Sequence, residues 1–245
     1  VETARHRLVY DTGPAYAPGA DGGSRVILPY LRVRGVAALD GIVISHADTD
    51  HTGGALALLE GVDAGWLASS LPDGHPVVRA ARQHVRCVAG QHWEWDGVTF
   101  DMLHPTAASY GDEGLKTNAR SCTLRVGNGR RTLLLAGDIE AAQEAALLER
   151  AGDRLRADVL LAPHHGSGTS STLAFLQAVR PEVAIFQVGY RNRFHHPKGE
   201  VYARYGVLGV QRLRTDDAGA LTLDFDAAVD WRSYRREHAR YWYGR

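Results

Sequence analysis

The segment His46-Ala-Asp48-Thr-Asp50-His51 sets two imidazoles and two carboxylates almost side by side. Imidazole nitrogen and carboxylate oxygen are both good ligands for Zn²⁺ or Mn²⁺. On a helix these side chains would fan out around the axis, whereas in a tight strand-to-helix loop they can converge on one point. The glycines of Thr52-Gly53-Gly54 would let the backbone pass close to an ion. A loop whose Asp50 or Thr52 merely capped the following helix would account for one residue and leave both histidines unexplained. Two further stretches add to the set. Asp138 follows the apolar run Leu133–Ala136 through a glycine, where a carboxylate could bridge two cations, although an aspartate in that place is commonly a turn residue. His164-His165-Gly166-Ser167 follows a second apolar run and offers paired imidazoles as ligand candidates.

These residues need a scaffold that ends strands in loops. Strands are predicted at Leu8–Tyr10, Gly41–Ile44, Thr99–Leu103, Ser121–Val126, Thr132–Leu135, Asp158–Leu161, Val183–Gln187 and Leu221–Phe225. Helices are predicted at Arg25–Arg34, Gly53–Glu60, Pro76–Val85, Ala141–Ala151, Ser171–Ala178 and Lys198–Tyr205. The alternation is that of an α/β protein, and such folds place their sites in loops at strand carboxyl ends. Asp11-Thr12-Gly13, Ser45-His46, Gly137-Asp138 and Pro163-His164-His165 all fall there. A single domain over residues 1–245 is expected, with Gly13–Gly23 as a long loop and residues 228–245 as a basic, aromatic tail.

Composition narrows the partners. Lys plus Arg and Asp plus Glu balance at 28 each, so a nucleic-acid partner would have to be met by a local basic face. Two such places exist. Arg191, Arg193 and Lys198 flank His196, and Arg232, Arg235, Arg236 and Arg240 interleave with Trp231, Tyr234, Tyr241 and Trp242. Arginine against phosphate plus stacking on aromatic rings is the physical recipe for single-strand binding. The terminal stretch reads equally as an amphipathic tail that packs one face and frays. Cys87 and Cys122 lack metal spacing and are expected to be buried free thiols. No apolar run approaches the length of a membrane helix.

The ordered set Asp11-Thr12-Gly13, His46-x-Asp48-x-Asp50-His51-x-Gly53-Gly54, Gly137-Asp138 and His164-His165-Gly166-Ser167 resembles the metallo-β-lactamase superfamily, whose usual signature is His-x-His-x-Asp-His. Asp48, the Asn118-Ala-Arg-Ser121 segment, Pro163-His-His-Gly-Ser167, Asn192-Arg-Phe-His-His-Pro197 and the closing Ala239-Arg-Tyr-Trp242 are more narrowly similar to the carboxyl-terminal domain of ComEC-family DNA-uptake proteins. The resemblance implies an αββα sandwich of two mixed sheets with outer helices, its amino-terminal strand trimmed here. It also implies two divalent ions, with His46 and Asp48 on one, Asp50 and His51 on the other, and Asp138 bridging. His165 is the expected remaining ligand, with His164 as the fallback. Asp48 stands where the superfamily has a second histidine, and no Gly-His-Thr motif precedes Asp138. The oxygen-rich set that results favours Mn²⁺ relative to a histidine-rich zinc site, although Zn²⁺ still competes.

By the same resemblance, Asp50, Asp138 and His196 are the catalytic candidates. Asn118, Ser121, Ser167, Arg191, Arg193 and Lys198 are the candidate substrate contacts. The implied reaction is attack by a metal-activated hydroxide on a DNA phosphodiester, degrading one strand of incoming duplex. The implied partners are DNA and a membrane channel, and the implied place is the outer face of the inner membrane. Two other readings remain: hydrolysis of a small ester, lactone, thioester or phosphodiester on the same fold, and a catalytically silent gating module. Asp11-Thr12-Gly13 is also the aspartic-protease triplet, but no second copy occurs. Gly114-Leu-Lys-Thr117 lacks the spacing of a phosphate loop.

Overall fold

In the computed structural model, residues 1–240 are described, and they fall into two compact units, Val1–Thr123 and Leu124 onward. The first contains β1 (Leu8–Tyr10), the short pair β2 (Ala15–Ala17) and β3 (Ala20–Asp21), β4 (Ala38–Ile44), β5 (Asp63–Ser69), β6 (His84–Arg86), β7 (His92–Trp95) and β8 (Val98–His104). Its main sheet has the order β1-β4-β5-β6, with every pair parallel. Ile42, Val43 and Ile44 are fully buried in succession, as a central parallel strand covered on both faces requires. Ile42 and Ile44 join Leu39, Leu58, Leu67, Leu71 and Val77 in one core cluster.

The helices of this unit are α1 (Leu28–Val33), the single turn α2 (Thr49–Thr52), α3 (Ala55–Gly61) and α4 (Pro76–Ala80). Ahead of α1, residues Gly23–Ile27 form a wider π turn, in which the Leu28 amide bonds the Gly23 carbonyl. Pro29 at the start of α1 has no N–H to continue a regular ladder across this point. The helix predicted at 76–85 stops at Ala80. Residues 84–86 instead extend the sheet as an edge strand beside Leu67–Ser69 of β5. Pairing with a neighbour remote in sequence overrides a weak local helical pattern there. β5 is not predicted from the sequence, because Asp63 and Gly65 break up its apolar pattern. Gly65 is required by its neighbour, since a Cβ there would stand 2.6 Å from the Asp40 carbonyl.

The expectation of free thiols is corrected. Cys87 and Cys122 are joined as a disulfide, with their Cα atoms 5.9 Å apart. The Cys87 amide bonds the Ser69 carbonyl at the end of β5, and the Cys122 amide bonds the Ser45 carbonyl at the end of β4. Adjacent strand ends therefore bring together two residues whose separation in sequence, 35 positions, carries no such information.

The second unit contains β9 (Thr123–Gly127), β10 (Thr132–Leu135), β11 (Val159–Leu161), β12 (Val183–Phe186), β13 (Gln211–Arg214) and the hairpin β14 (Leu221–Phe225) with β15 (Val229–Ser233). Within it the strand order is β13-β12-β11-β10-β9, antiparallel only between β9 and β10. Its helices are α5 (Ala141–Ala151), α6 (Leu173–Val179), α7 (Gly199–Val207) and the single turns α8 (Thr215–Ala218) and α9 (Tyr234–Glu237). α5 matches its predicted bounds because a reciprocal cap of Glu140 and Gln143 marks its start and Gly152 its end.

The first part of the expected tail is structural. Trp231 packs with Leu221, Leu223 and Val229 against the cluster of Val159, Val183, Ile185 and Leu213. Arg232 pairs with Asp224 at 3.1 Å. Tyr241 and Trp242, the rest of that expected tail, lie outside the described residues. Among the described residues no helix is long and apolar enough to cross a membrane.

Closing the 35-residue interval between Cys87 and Cys122 restricts the unfolded chain. Its loss through a Cys87→Ala/Cys122→Ala double variant is expected to cost roughly 3–4 kcal/mol by loop-closure entropy. Urea unfolding of the oxidised wild type and the variant measures the difference, and reductant should narrow it.

Candidate metal centre

In the first unit the candidate site begins at the end of β4. Ser45 and His46 are fully buried and His51 nearly so. The Asp11 carboxylate accepts from the Ser45 amide at 2.7 Å, from the Ser45 hydroxyl at 2.8 Å and from His51 Nδ1 at 2.8 Å. Nδ1 of His51 therefore carries the hydrogen, and its Nε2 is left as a lone pair that can ligate, the arrangement in which an outer carboxylate sets the tautomer of a metal-binding histidine. The Ser45 hydroxyl also lies 2.9 Å from His46 Nδ1.

The Asp-Thr-Gly triplet wraps the ligand loop from outside. Thr12 donates its amide and hydroxyl to the His51 carbonyl at 2.9 and 2.8 Å, and the Gly54 amide reaches the Gly13 carbonyl at 3.2 Å. Gly54 must be glycine, because a Cβ there would lie 2.1 Å from the Gly23 nitrogen.

The ligand atoms face one another at distances longer than hydrogen bonds. His46 Nε2 lies 3.6 Å from Asp48 Oδ2, and His51 Nε2 lies 3.7 Å from Asp50 Oδ2. Two ligands of one tetrahedral ion stand roughly 3.3 Å apart when each bond is about 2.0 Å. Asp48 is further held by the Thr117 hydroxyl at 2.6 Å. Buried imidazoles beside half-exposed carboxylates thus make a donor set that fits a divalent cation.

In the second unit, Asp138 is buried after Gly137, whose φ is +60°. His164 and His165 both occupy the left-handed region, at φ +48° and +56°. Backbone strain of about 1–3 kcal/mol per residue is tolerated where surrounding structure enforces it, commonly at functional sites. Asp138 Oδ2 lies 3.5 Å from His165 Nε2 and 3.7 Å from His164 Nε2. His165 Nδ1 donates to the Gln187 carbonyl at 2.9 Å, so its Nε2 is the nitrogen that could ligate. His164 Nδ1 sits 3.3 Å from both Glu140 Oε1 and the Thr169 hydroxyl. Both imidazoles are thus oriented from behind, His165 by a backbone carbonyl and His164 by side chains.

His196 follows in the loop before α7. Its amide is bonded by the Asn192 side-chain oxygen at 2.8 Å, and its ring stands 5.9 Å from that of His164. Its buried Nδ1 finds no hydrogen-bond partner among the described residues. Burial, then the positive charge available on His164, His165 and Lys198, pushes its pKa down to about 4, against a smaller upward pull from Asp138.

The expected substrate contacts divide. Arg191 and Arg193 are exposed, and Lys198 is half-buried, its amine bonded to the Phe194 carbonyl at 2.9 Å. Ser121 is fully buried, its hydroxyl 3.4 Å from His46 Nδ1, and Ser167 is buried with its hydroxyl 3.0 Å from that of Thr169. The hydroxyls of those two serines are turned to the histidine loops. Asn118 sits half-buried in a short turn that His104 fastens through the Ala119 carbonyl at 2.9 Å. Sequence reasoning missed the orienting roles of Asp11, Ser45, Glu140 and His104. Only the Asp-Thr-Gly triplet was a signal for any of them.

The comparisons with known proteins agree with this geometry. Residues 1–189 match the model of the metallo-beta-lactamase superfamily, and the chain belongs to that superfamily. It is 40% identical over 221 residues to competence protein ComA of Neisseria gonorrhoeae, covering 90% of this chain and 30% of that protein. It is 35% identical over 238 residues to the protein YcaI of Escherichia coli strain K12, covering 96% of this chain and 30% of that one. The chain thus spans less than a third of the length of these relatives. The crystal structure of the metallo-β-lactamase fold protein YhfI from Bacillus subtilis superposes with a TM-score of 0.50 at 12% identity, covering 87% of this chain and 85% of that one, and shares the fold.

Replacing Asp11 by Asn removes the carboxylate behind His51, and metal affinity is expected to fall 10- to 100-fold on the order of magnitude known for outer ligands. Competition against a chromogenic chelator measures it. For His196, NMR titration of the metal-free protein should give a midpoint near 4 instead of the ordinary 6.5. The folded state then binds fewer protons than the unfolded chain between those values, so stability falls as pH is lowered through that window.

Proposed function

We propose that this chain is a metal-dependent phosphodiesterase that degrades one strand of DNA entering through an uptake channel. The observation that carries the reading is the outer hydrogen bonding of the histidines. Asp11 behind His51 and the Gln187 carbonyl behind His165 each leave Nε2 for a ligand, beside the carboxylates of Asp50 and Asp138 respectively. Similarity to a competence protein supplies the biological setting.

In this reading His46, Asp48, Asp50 and His51 of the first unit are ligands, as are Asp138 and His165 of the second, with His164 alongside. Two divalent ions, Mn²⁺ or Zn²⁺, would supply Lewis acidity toward water and phosphate oxygens when bound. The carboxylate share of the set favours Mn²⁺ relative to a histidine-rich site. Asp50, half-exposed, orients the attacking water by accepting its hydrogen. His196 faces the substrate as a phosphate contact or leaving-group acid. Arg191, Arg193 and Lys198 neutralise the adjoining backbone, as the local basic face that a chain of balanced overall charge requires.

The disulfide supports an oxidising location, and hence the outer face of the inner membrane, since such bonds are kept reduced in most cytosols. The channel would be supplied by the part of the longer protein that lies outside this chain.

The test is incubation of the protein with end-labelled linear DNA, single- and double-stranded, in Mn²⁺, in Zn²⁺ and in chelator. Metal-dependent degradation is expected, with a loss of at least about 100-fold in Asp50→Ala and Asp138→Ala, the scale of removing one group from an electrostatic catalytic site. Binding without cleavage in every metal would overturn the nuclease reading and leave a gating module.

A further inference from the structure

The loop between β12 and α7 exposes two large aromatic rings, Tyr190 at 70% and Phe194 at 54% of their full accessibility. A guanidinium lies over each: Arg191 is 5.2 Å from the Tyr190 centroid and Arg193 is 4.7 Å from that of Phe194. The loop is clasped from within. The Asn192 side chain donates to the His196 carbonyl at 2.7 Å and accepts the His196 amide at 2.8 Å, while the Lys198 amine donates to the Phe194 carbonyl at 2.9 Å. Arg191 and His195 both take left-handed backbone conformations, at φ +52° and +53°. These bonds hold the rings outward on an ordered support. Phe194 also stacks on His196, with centroids 5.8 Å apart and planes inclined by 23°.

We propose that Tyr190 and Phe194 are base-stacking residues, so that the strand taken at this loop is one with unpaired bases. The assignment rests on the phosphodiesterase reading and deepens it by naming the form of the substrate. Every nucleobase has a π face, and stacking on an aromatic ring holds a single strand without regard to sequence. Bases inside a duplex are already stacked on their neighbours and cannot reach such a platform. Each arginine can leave its ring for a phosphate as a strand arrives, which uncovers the ring for the base. A base on Phe194 would bring the adjoining phosphate toward His196, the group with a buried, unsatisfied Nδ1. The two functions of the loop are therefore complementary: rings for bases, cations and imidazole for backbone.

The experiment is a fluorescence-anisotropy titration, in chelator, of an oligothymidine strand and of an abasic strand of equal length and charge. For the wild type the base-bearing strand should bind more tightly, by roughly 5- to 100-fold for each engaged ring. In Tyr190→Ala/Phe194→Ala that ratio should fall toward one, while Tyr190→Phe/Phe194→Tyr should keep it. Equal affinity for the two strands in the wild type, or an undiminished ratio in the double alanine variant, would overturn the assignment. Degradation of DNA in Mn²⁺ is followed in parallel. Degradation without base-dependent binding removes the stacking role alone, whereas base-dependent binding without degradation removes the phosphodiesterase reading and leaves the stacking role standing.

Discussion

One carboxylate organises the histidine loop of the first unit. Asp11 sits at φ +58° directly after β1 and accepts from two Ser45 donors and from the His51 ring. Its position depends on β1 running parallel to β4, with the Asp11 amide on the Val43 carbonyl at 2.8 Å. A partly buried carboxylate is costly unless its oxygens are filled, and here they are filled by the groups that must be aimed. The same interaction that makes Asp11 tolerable therefore holds the ligand histidine in one tautomer. Thr12 and Gly13 extend the clasp along the backbone of the ligand loop.

The second unit reaches a similar result with backbone strain. Two successive non-glycine residues in the left-handed region turn the chain sharply after β11 and set both imidazoles near Asp138. Bonds beyond the turn hold it. The His164 amide donates to the Gly137 carbonyl at 3.0 Å, the Ser170 hydroxyl to the Pro163 carbonyl at 2.8 Å. Glu144, fully buried on α5, accepts the amides of Ser171 and Thr172 and so fixes the chain where α6 begins. Burial outweighs those hydrogen bonds in setting its acidity and raises its pKa. The strain is local, and the support is spread over three elements.

Function in this protein is therefore a matter of loops whose freedom has been removed. Strand ends supply the ligands, outer carboxylates and carbonyls choose their nitrogens, and the Asn192 clasp does for the Arg-aromatic loop what Asp11 does for His51. Orientation by groups behind the candidate ligands is what gives a set of side chains a fixed geometry toward a cation.

The site's ligand types and most of its elements were legible in the sequence. The cluster from His46 to His51, the Gly137-Asp138 step and the paired histidines are local, because each is carried by one loop. β1, β10, β14 and α5 were read to the residue, since apolar runs and caps are local as well. β5 and β6 were not, because their strand character comes from neighbours distant in the chain. The same holds for the disulfide, for the burial of Ser121 and Ser167, and for Trp231 packing on its sheet instead of standing in a tail. Which residues could bind a metal was set by composition within single loops. Which nitrogen of each histidine faces inward, and which aromatic rings remain outside, were decided only by tertiary structure, because both depend on hydrogen-bond partners and packing surfaces that no stretch of sequence contains by itself.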